Sequence, residues 1–288
     1  SALPALLVEW LRRPAMLPVR VLWLTTLVRK ARRVHVHFAG EAAEWTRLAC
    51  RRASVPYSVT VHAVDLYKPR PALSAVLRDA TAVVAMTDFN VEALRSQYGI
   101  HARLVRFGLR LDGNALANSG HSRRIVAVGR NVPKKGLDSV VLLARRLGSR
   151  AEVVIVSDLA PSPPADVRGL LPHEQVLDLL STAGLFVLPC RRAPDGDMDG
   201  LPVVLVEAMA AGLAVVTTNV SGIPELVDEA VGWVVPPDDP EALVAAVEAA
   251  LADPAERARR GAAGRARVRE RGYAIGRLVA EMREVLGR

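Results

Sequence analysis

Two carboxylates, Asp199 and Glu207, have seven residues between them, and they lie before and within a short apolar segment that begins with a proline and ends before a glycine. Proline suits the first helical position because that N–H has no helical partner, and glycine suits the left-handed residue that closes a helix. The sequence therefore predicts a helix from about Pro202 to Ala211. Its N-terminus would present free N–H groups and a partial positive charge, which favour a phosphate. Because carboxylates bind vicinal diols, the pattern predicts a site for a phosphate that carries sugar hydroxyls.

Basic residues and a histidine lie at the ends of other predicted strands. Arg130 and Lys135 follow a strand at 124–130, and the carboxyl end of a strand faces the ligand crevice of an open α/β sheet. Long cations there predict contact with an anionic ligand. His62 ends the strand at 57–62, which makes it a candidate functional residue, with a core or capping histidine as the alternative. Asp65, three residues later, is either a second functional residue or a cap of the next turn.

Length and pattern bound the fold. The chain has 288 residues, 51% of them hydrophobic, which is enough for two domains with their own cores. Strand patterns alternate with helix patterns, which predicts an α/β class with parallel sheets. The predicted strands are 33–38, 57–62, 82–86, 103–107, 124–130, 153–156 and 185–189. The predicted helices are 3–11, 19–31, 41–52, 72–79, 88–97, 137–147, 174–181, 202–211, 241–252 and 273–286, with 114–122 as a linker.

Composition and charge limit the classes of function. Two cysteines give no disulfide framework and favour a reducing, cytoplasmic compartment, and no apolar run reaches the roughly 18–20 residues of a membrane span. Residues 1–124 contain 19 basic and 8 acidic residues, a net charge of +11, whereas the rest of the chain carries −3. This basic half predicts an anionic partner, such as acidic lipid or a phosphate-bearing acceptor, or else a solvated surface. Nucleic acid is disfavoured because only 4% of residues are aromatic and no reading motif is present.

The segment from Asp199 to Glu207 resembles the E-x7-E motif of GT-B glycosyltransferases, with Asp in place of the first Glu. The blocks that follow, 211–216 and 221–227, resemble the next two blocks of the large retaining family numbered four. Gly129-Arg130 and Lys134-Lys135-Gly136 resemble its diphosphate-binding element, and Val167-Arg168-Gly169 resembles the element beside the nucleotide base.

The first half resembles the same family. The segments 35–38, 55–66 and 107–112 are similar to its N-domain blocks, most of all in members that build exopolysaccharides. Members usually open with a strand and a Gly-rich loop, whereas here only about thirty residues precede the block at 35–38 and none forms such a loop. We therefore expect either a compact N-domain or a missing start.

The resemblance implies a GT-B fold in which two Rossmann-like domains face a central cleft. Residues 1–120 would form a shortened acceptor-side domain, 121–272 a nucleotide-sugar-binding domain, and 273–288 a helix that packs back on the first domain. The implied activity is transfer, with retention, of a sugar from a nucleotide-diphosphate sugar to a glycan, a lipid-linked sugar or a small molecule. The resemblance implies no divalent metal and no cofactor. From the cysteine usage we expect a cytoplasmic protein, and from the basic first half we expect an anionic partner, of which the inner membrane face is one candidate.

Roles for individual residues follow from the resemblance. Arg130 and Lys135 would hold the diphosphate, Asp199 the sugar hydroxyls and Glu207 the ribose diol. His62 would orient the sugar. The remaining predicted donor contacts are Arg168 and Gly169 beside the base, and Gly200, Leu201, Pro202, Val203 and Val204 at the start of the helix.

Other interpretations of the same residues remain open. A non-catalytic nucleotide-sugar-binding remnant or subunit is the main alternative, and a GT-B epimerase or phosphorylase is a third. The segment 195–200 begins like a calcium loop, but its twelfth position is Val206 and the acid comes one residue late. His35, His37 and His62 suggest a metal, but no acid or cysteine at ligand spacing supports it. The apolar face of the helix at 19–31 fits either a core or a membrane surface.

Overall fold

In the computed structural model, residues 17–111 and 122–287 are described. The helix predicted at 3–11 and the linker predicted at 114–122, except for Ser122, lie outside these residues. The chain divides into two compact units, which we describe separately. Unit 1 comprises Ser1–Val105 and Val279–Arg288, and unit 2 comprises Arg106–Leu278. The predicted boundary at residue 120 also lies outside the described residues, so it stays a prediction.

Unit 1 is built on a parallel sheet with the strand order β1-β2-β3-β4. The strands are Val34–His37 (β1), Tyr57–Val61 (β2), Ala82–Ala85 (β3) and Arg103–Leu104 (β4). The strand predicted at 103–107 was too long. β3 ends at Ala85, whose carbonyl oxygen accepts a hydrogen bond from Val105 N–H at 2.9 Å, so β3 has no further residue with which 106 and 107 could pair.

Helices connect the strands of unit 1. They are Leu17–Val28 (α1), Glu41–Ala53 (α2), Ala63–Tyr67 (α3), Leu73–Asp79 (α4) and Asp88–Tyr98 (α5). Thr87 caps α5, because its hydroxyl oxygen accepts a hydrogen bond from Asn90 N–H at 3.1 Å. The C-terminal segment joins this unit through Arg33, whose guanidinium donates to the Val285 carbonyl at 2.8 Å.

Unit 2 is built on a six-stranded parallel sheet with the order β10-β9-β8-β5-β6-β7. The strands are Arg124–Val128 (β5), Glu152–Val156 (β6), Asp166–Val167 (β7), Leu185–Leu188 (β8), Val215–Thr218 (β9) and Gly232–Val235 (β10). The helices are Leu137–Leu147 (α6), His173–Thr182 (α7), Val203–Ala210 (α8), Pro240–Ala252 (α9), Pro254–Glu270 (α10) and Ile275–Val285 (α11), which ends in unit 1. The chain runs outward from β5 on one side and from β8 on the other, so a topological switch point lies between these two strands.

The helix α10 was not predicted, because residues 256–271 are so rich in charge that they show no apolar periodicity. Asp253 caps it by accepting from Glu256 N–H at 2.9 Å. Arg259 and Arg260 pair with Glu256 at 2.6 and 2.8 Å, at the spacings that stabilise a helix surface. α10 packs against α8, and Gly261 lies so close to Gly212 that a Cβ there would clash with the Gly212 carbonyl. The unpredicted helix therefore supports the segment that bears the predicted phosphate site.

Candidate functional site

The loops that follow β5 and β8 meet at the switch point because these strands pair in parallel, with Ile125 opposite Leu185 and Val126 opposite Phe186. The first loop carries Arg130 and Lys135, and the second carries Asp199. Ligands of open α/β sheets bind outside the carboxyl ends of the strands at such a point. The sheet thus brings together two segments that lie more than fifty residues apart in the sequence.

Four charged side chains form what we call the lysine–aspartate cluster: Lys134, Lys135, Asp197 and Asp199. Lys135 Nζ lies 2.6 Å from Asp199 Oδ2, and Lys134 Nζ lies 3.3 Å from Asp199 Oδ1. Lys134 also pairs with Asp197, at 3.1 Å from Oδ2. All four side chains are only 12–18% exposed. Two cations balance two anions, which fits their burial, since an unpaired buried charge is strongly unfavourable.

Two glycines allow the first loop to take its path. Gly136 has φ +64°, a left-handed conformation that favours glycine, and a Cβ there would clash with the Pro189 carbonyl oxygen. The side chain of Lys135 runs over Gly129, where a Cβ would lie 3.3 Å from its Cγ and Cδ atoms. The position of the Lys135 ammonium therefore depends on the absence of side chains at these two residues.

The helix α8 begins four residues after Asp199, and its first residue corrects one prediction. Pro202 is the N-cap residue, with ψ 126°, and Val203 is the first helical residue. Leu205 and Val206 donate back to the Pro202 carbonyl, so the N–H groups of Val203 and Val204 precede the helical ladder.

The predicted helix end is confirmed. Gly212 has φ +84° and donates to the Met209 carbonyl at 2.9 Å, while Leu213 donates to Ala208 at 3.0 Å. These two bonds form the paired closure typical of a left-handed helix end.

Gly200, Leu201 and Val203, which were also predicted as donor contacts near the start of α8, differ from one another in their contacts and exposure. Gly200 accepts a hydrogen bond from Gly222 N–H at 2.9 Å, which ties this turn to the segment after β9. Leu201 is buried at 8% exposure, whereas Val203 is 48% exposed. On the buried side, the thiol of Cys190 lies 3.9 Å from Asp199 Oδ2. Burial, with a smaller contribution from Asp199, raises the pKa of Cys190.

Glu207, one turn inside α8, contacts a residue that the sequence did not single out. Its Oε1 atom lies 2.8 Å from Nε2 of His173, the first residue of α7. Glu207 is 13% exposed and His173 is 66% exposed. Because the two residues lie 34 positions apart in the sequence, no local sequence pattern predicts the pair. The only sequence signal was the position of His173 just before a predicted helix.

Arg130 and Arg168 occupy separate environments. Arg130 is exposed and lies near Asp158, whose pKa is lowered first by the hydrogen bond from Asn131 N–H and, least, by Arg130 itself. The Arg168 guanidinium pairs with Asp166 at 2.7 Å and approaches Glu152 at 3.8 Å. Since Glu152 begins β6, the Arg168 side chain points towards the amino end of that strand. Gly169, beside it, has φ +70°. The structure therefore joins neither arginine to the lysine–aspartate cluster.

His62 belongs to unit 1, where it follows β2 and precedes α3. Its backbone N–H donates to Asp65 Oδ2 at 2.8 Å, so Asp65 caps α3 as one interpretation expected. The His62 ring stacks on Phe38, with the centroids 3.8 Å apart, and lies 5.8 Å from the ring of His37. Burial first, and His37 second, lower the pKa of His62 to about 4. The imidazole is therefore neutral at neutral pH.

His35 is held by two hydroxyls, with Nδ1 2.8 Å from Ser58 Oγ and Nε2 3.0 Å from Thr60 Oγ1. Its ring lies 4.9 Å from that of His37, as the alternation of the strand predicted. Burial, then His37, lower the pKa of His35 to about 4. Within residues 17–111 and 122–287, no group of three or more His, Cys, Asp or Glu side chains is arranged to hold a metal ion.

Residues 165–267 match the family model described as Glycosyl transferases group 1. This range contains Asp199, Glu207 and the whole of α8, so the chain contains a glycosyl transferases group 1 domain.

Two curated relatives illustrate the similarity in sequence. The chain is 39% identical over 139 residues to the amylovoran biosynthesis glycosyltransferase AmsK of Erwinia amylovora, covering 42% of this chain and 34% of AmsK. It is 26% identical over 238 residues to the putative teichuronic acid biosynthesis glycosyltransferase TuaC of Bacillus subtilis, covering 74% of this chain and 60% of TuaC. The matches thus span from about a third to three fifths of the length of these relatives.

Solved structures agree in fold. A crystal structure of Anabaena HepE in complex with UDP and glucose is similar with a TM-score of 0.78 and 16% identity, covering 93% of this chain and 80% of HepE. Sucrose-phosphate synthase from Thermosynechococcus elongatus is similar with a TM-score of 0.76 and 20% identity, covering 94% of this chain and 77% of that chain. The predicted α/β class and GT-B fold are confirmed, and so is the resemblance to group 1 glycosyltransferases of exopolysaccharide synthesis.

Proposed function

We propose that this chain, which contains a glycosyl transferases group 1 domain, transfers a sugar from a nucleotide-diphosphate sugar to an acceptor with retention of configuration. The observation that supports this most is the lysine–aspartate cluster at the start of α8. It brings cations and carboxylates together, and the helix α8, whose first N–H groups have no helical partner, begins four residues after Asp199. Cations and helix N–H groups bind a diphosphate, and carboxylates bind sugar hydroxyls.

The donor-binding roles follow from this arrangement. Lys135 would hold the diphosphate, together with Lys134 beside it and Arg130 on the same loop. The N–H groups of Val203 and Val204 would donate to the same diphosphate. Asp199 would accept from the sugar hydroxyls. An ammonium group has three donors, and Asp199 engages one donor of Lys135, so two are left for phosphate oxygens.

Glu207 would bind the ribose diol, with His173 holding its carboxylate. The exposed His173 restrains one oxygen of Glu207 and leaves the second oxygen to the ligand. Arg168 and Gly169 remain the proposed neighbours of the base. The ion pairs of Arg168 with Asp166 and Glu152 favour a contact through its backbone or through Gly169 over one through its guanidinium.

The proposed chemical step needs no protein nucleophile. The bond between the anomeric carbon and the donor phosphate oxygen breaks, and its electron pair goes to the phosphate. The acceptor hydroxyl attacks from the same face, and its proton goes to the departing phosphate oxygen. The lysines stabilise the charge that develops on the leaving group, a task that lysine or a metal ion performs in phosphate chemistry. We therefore propose a metal-independent enzyme without a cofactor, whose donor hydrolysis persists in excess EDTA.

The acceptor class is proposed from the relatives. AmsK is named for amylovoran and TuaC for teichuronic acid biosynthesis, so a glycan or lipid-linked glycan is the proposed acceptor here. The HepE complexes contain UDP, UDP-glucose, or UDP and glucose, which makes uridine diphosphate sugars the first donors to test.

We also propose peripheral contact of unit 1 with an anionic membrane from the cytoplasm. Four side chains spaced for one helix face form the α1 apolar stripe, and they are 44–65% exposed: Val19, Leu22, Trp23 and Leu27. The exposed basic residues Arg29, Lys30 and Arg32 follow it directly. Among the described residues, no helix is long and apolar enough to span a membrane. Trp23→Ala should weaken sedimentation with phosphatidylglycerol vesicles, while the control Leu170→Ala should not. Equal sedimentation with neutral and anionic vesicles would argue against this contact.

The decisive experiment separates an enzyme from a non-catalytic nucleotide-sugar-binding module, which is the competing function. Apart from His62, every proposed donor contact lies in unit 2, so unit 2 by itself satisfies the binding part of the proposal. His62→Ala should leave nucleotide affinity nearly unchanged but should reduce donor turnover by one to several orders of magnitude, as expected of a group that acts in the transition state. Slow hydrolysis of UDP-, GDP- and ADP-sugars is the readout. A wild-type chain that binds a donor but neither hydrolyses nor transfers it would favour the binding module.

A further inference from the structure

Phe38, the residue after β1, has an unusual backbone conformation, with φ +66°. A bulky residue at such a φ is a genuine outlier, because its Cβ crowds the backbone. Conformations of this kind persist only where the surroundings impose them, and they occur preferentially at functional sites. The ring of Phe38 is 49% exposed, so burial in a core does not account for the choice of residue.

Hydrogen bonds from two directions impose this conformation. Phe38 N–H donates to the Thr60 carbonyl at 2.9 Å, which extends the pairing of β1 with β2 by one residue. The carboxylate of Asp65, only 8% exposed, accepts from His62 N–H at 2.8 Å and also from Ala39 N–H. Asp65 therefore ties the chain after β1 to the chain after β2, and the turn at Phe38 closes over His62.

The result is an aromatic ring laid flat on the imidazole. The two ring centroids are 3.8 Å apart and the planes differ by 17°. The Nε2 atom of His62 is buried and has no hydrogen-bond partner among the described residues. A buried polar atom without a partner is unfavourable unless it serves a ligand or a reaction. Its direction depends on the plane of the imidazole ring, and the Phe38 ring lies stacked against that plane.

We infer that Phe38 is a positioning residue, whose ring fixes the plane of the His62 imidazole so that Nε2 is presented in one orientation to the transferred sugar. This inference rests on the proposed function, in which His62 orients that sugar. Because the imidazole is neutral, one ring nitrogen donates and the other accepts, so its orientation decides which hydroxyl it recognises.

Three variants of Phe38 test this. Phe38→Leu removes the ring but keeps the strained conformation, Phe38→Gly removes both, and Phe38→Tyr keeps the ring. We expect Phe38→Leu and Phe38→Gly to reduce donor hydrolysis by about 10- to 100-fold, the loss typical of a misplaced group, with donor affinity changed less than about twofold. Phe38→Tyr should retain turnover. Phe89→Leu, which alters a ring of unit 1 that is 41% exposed, is the matched control and should behave as the wild type.

Stability reports the backbone strain at Phe38 and NMR reports the stacking of its ring on His62, whereas the loss of turnover with donor affinity retained reports the positioning role. Phe38→Gly should be at least as stable as Phe38→Leu, because glycine adopts a positive φ without strain. In the wild type, the carbon-bound protons of the His62 ring should be shifted upfield by the stacked ring. That shift should vanish in Phe38→Leu and in Phe38→Gly and return in Phe38→Tyr.

The outcomes separate the two hypotheses. If His62→Ala has no effect on turnover, the proposed role of His62 fails, whatever the Phe38 variants do. If His62→Ala abolishes turnover while Phe38→Leu and Phe38→Gly turn over normally, the positioning role is overturned and the proposed function stands. Should the wild type turn over no donor, unchanged His62 resonances in Phe38→Gly would still overturn the inference, and their displacement would support it.

Discussion

Replacing Lys135 by alanine is the most direct test of the lysine–aspartate cluster. The Lys135 ammonium is 14% exposed and its nitrogen lies 2.6 Å from Asp199 Oδ2. In the proposed complex it also donates to the diphosphate, and a hydrogen bond to a charged group contributes about 1.5–3 kcal/mol. Lys135→Ala should therefore weaken nucleotide-diphosphate binding by about 10- to 150-fold, since each 1.4 kcal/mol is a factor of ten.

A second effect also weakens nucleotide-diphosphate binding, so we expect the loss of affinity to lie near the upper end of this range. Without Lys135, Lys134 at 3.3 Å is the cation that remains paired with the Asp199 carboxylate, whose charge opposes an incoming phosphate. The double variant that also carries Asp199→Ala should therefore bind a free diphosphate more tightly than Lys135→Ala alone. Asp199→Ala by itself should weaken binding of the nucleotide sugar more than binding of the bare nucleotide diphosphate.

Isothermal titration calorimetry with UDP, GDP and ADP measures these affinities, and circular dichroism checks the fold of each variant. Arg145→Ala is the control, because it removes one exposed positive charge from α6 and leaves the cluster intact. If Lys135→Ala binds the preferred nucleotide as tightly as Arg145→Ala does, with its fold retained, the assignment of Lys135 to the diphosphate is refuted. A double variant that binds no better than Lys135→Ala would refute the electrostatic part of the reasoning.

Three further predictions concern support of the site, pH and the ribose contact. Gly261→Ala should destabilise unit 2 by about 1–3 kcal/mol through overpacking against Gly212, whereas Gly264→Ala, whose Cβ would lie 3.4 Å from the Met209 methyl and 3.7 Å from the Val231 carbonyl oxygen, makes ordinary contacts and should be neutral or stabilising; urea denaturation compares them. The pKa of His35 is lowered from 6.5 to about 4, so its contribution to stability is present above pH 6.5 and is lost as the pH falls towards 4; denaturation of His35→Gln at pH 7 and pH 5 should show a smaller decrease than the wild type. Glu207→Gln should weaken binding of a ribonucleotide more than of its 2′-deoxy form, and a calorimetric loss equal for both would contradict the diol contact.

Much of this site was accessible from the sequence because its residues lie close to strand ends. The strands β5 and β8 are short apolar runs; Lys135 lies seven residues after the end of β5, and Asp199 lies eleven residues after the end of β8. Proline and glycine mark the two ends of α8, so its existence and its C-terminal closure were predictable. Only the first helical residue was misplaced, because the ψ of 126° at Pro202 depends on the preceding turn and not on the propensity of proline.

The remaining parts depend on tertiary contacts that no local pattern contains. His173 meets Glu207 because α7 precedes β8 and α8 follows it, so the sheet brings both helices to the same edge. Lys134 and Asp197 were visible as residues but not as partners, since their distance of 3.1 Å is set by the pairing of β5 with β8. α10 escaped prediction because its stability comes from a cap, surface ion pairs and contact with α8, none of which produces apolar periodicity.

The same contacts explain how a buried cluster of four charges can remain responsive to a ligand. Both lysines pair with Asp199 and Lys134 also pairs with Asp197, so two positive and two negative charges balance and neither cation is left without a partner. An incoming diphosphate offers the ammonium groups new acceptors, and the sugar hydroxyls of the same ligand offer donors to Asp199. The ligand thus offers new partners both to the lysines and to Asp199, whose mutual contacts it weakens. A nucleotide diphosphate without its sugar compensates only the lysines, and for that reason the intact nucleotide sugar should be the ligand that this site binds best.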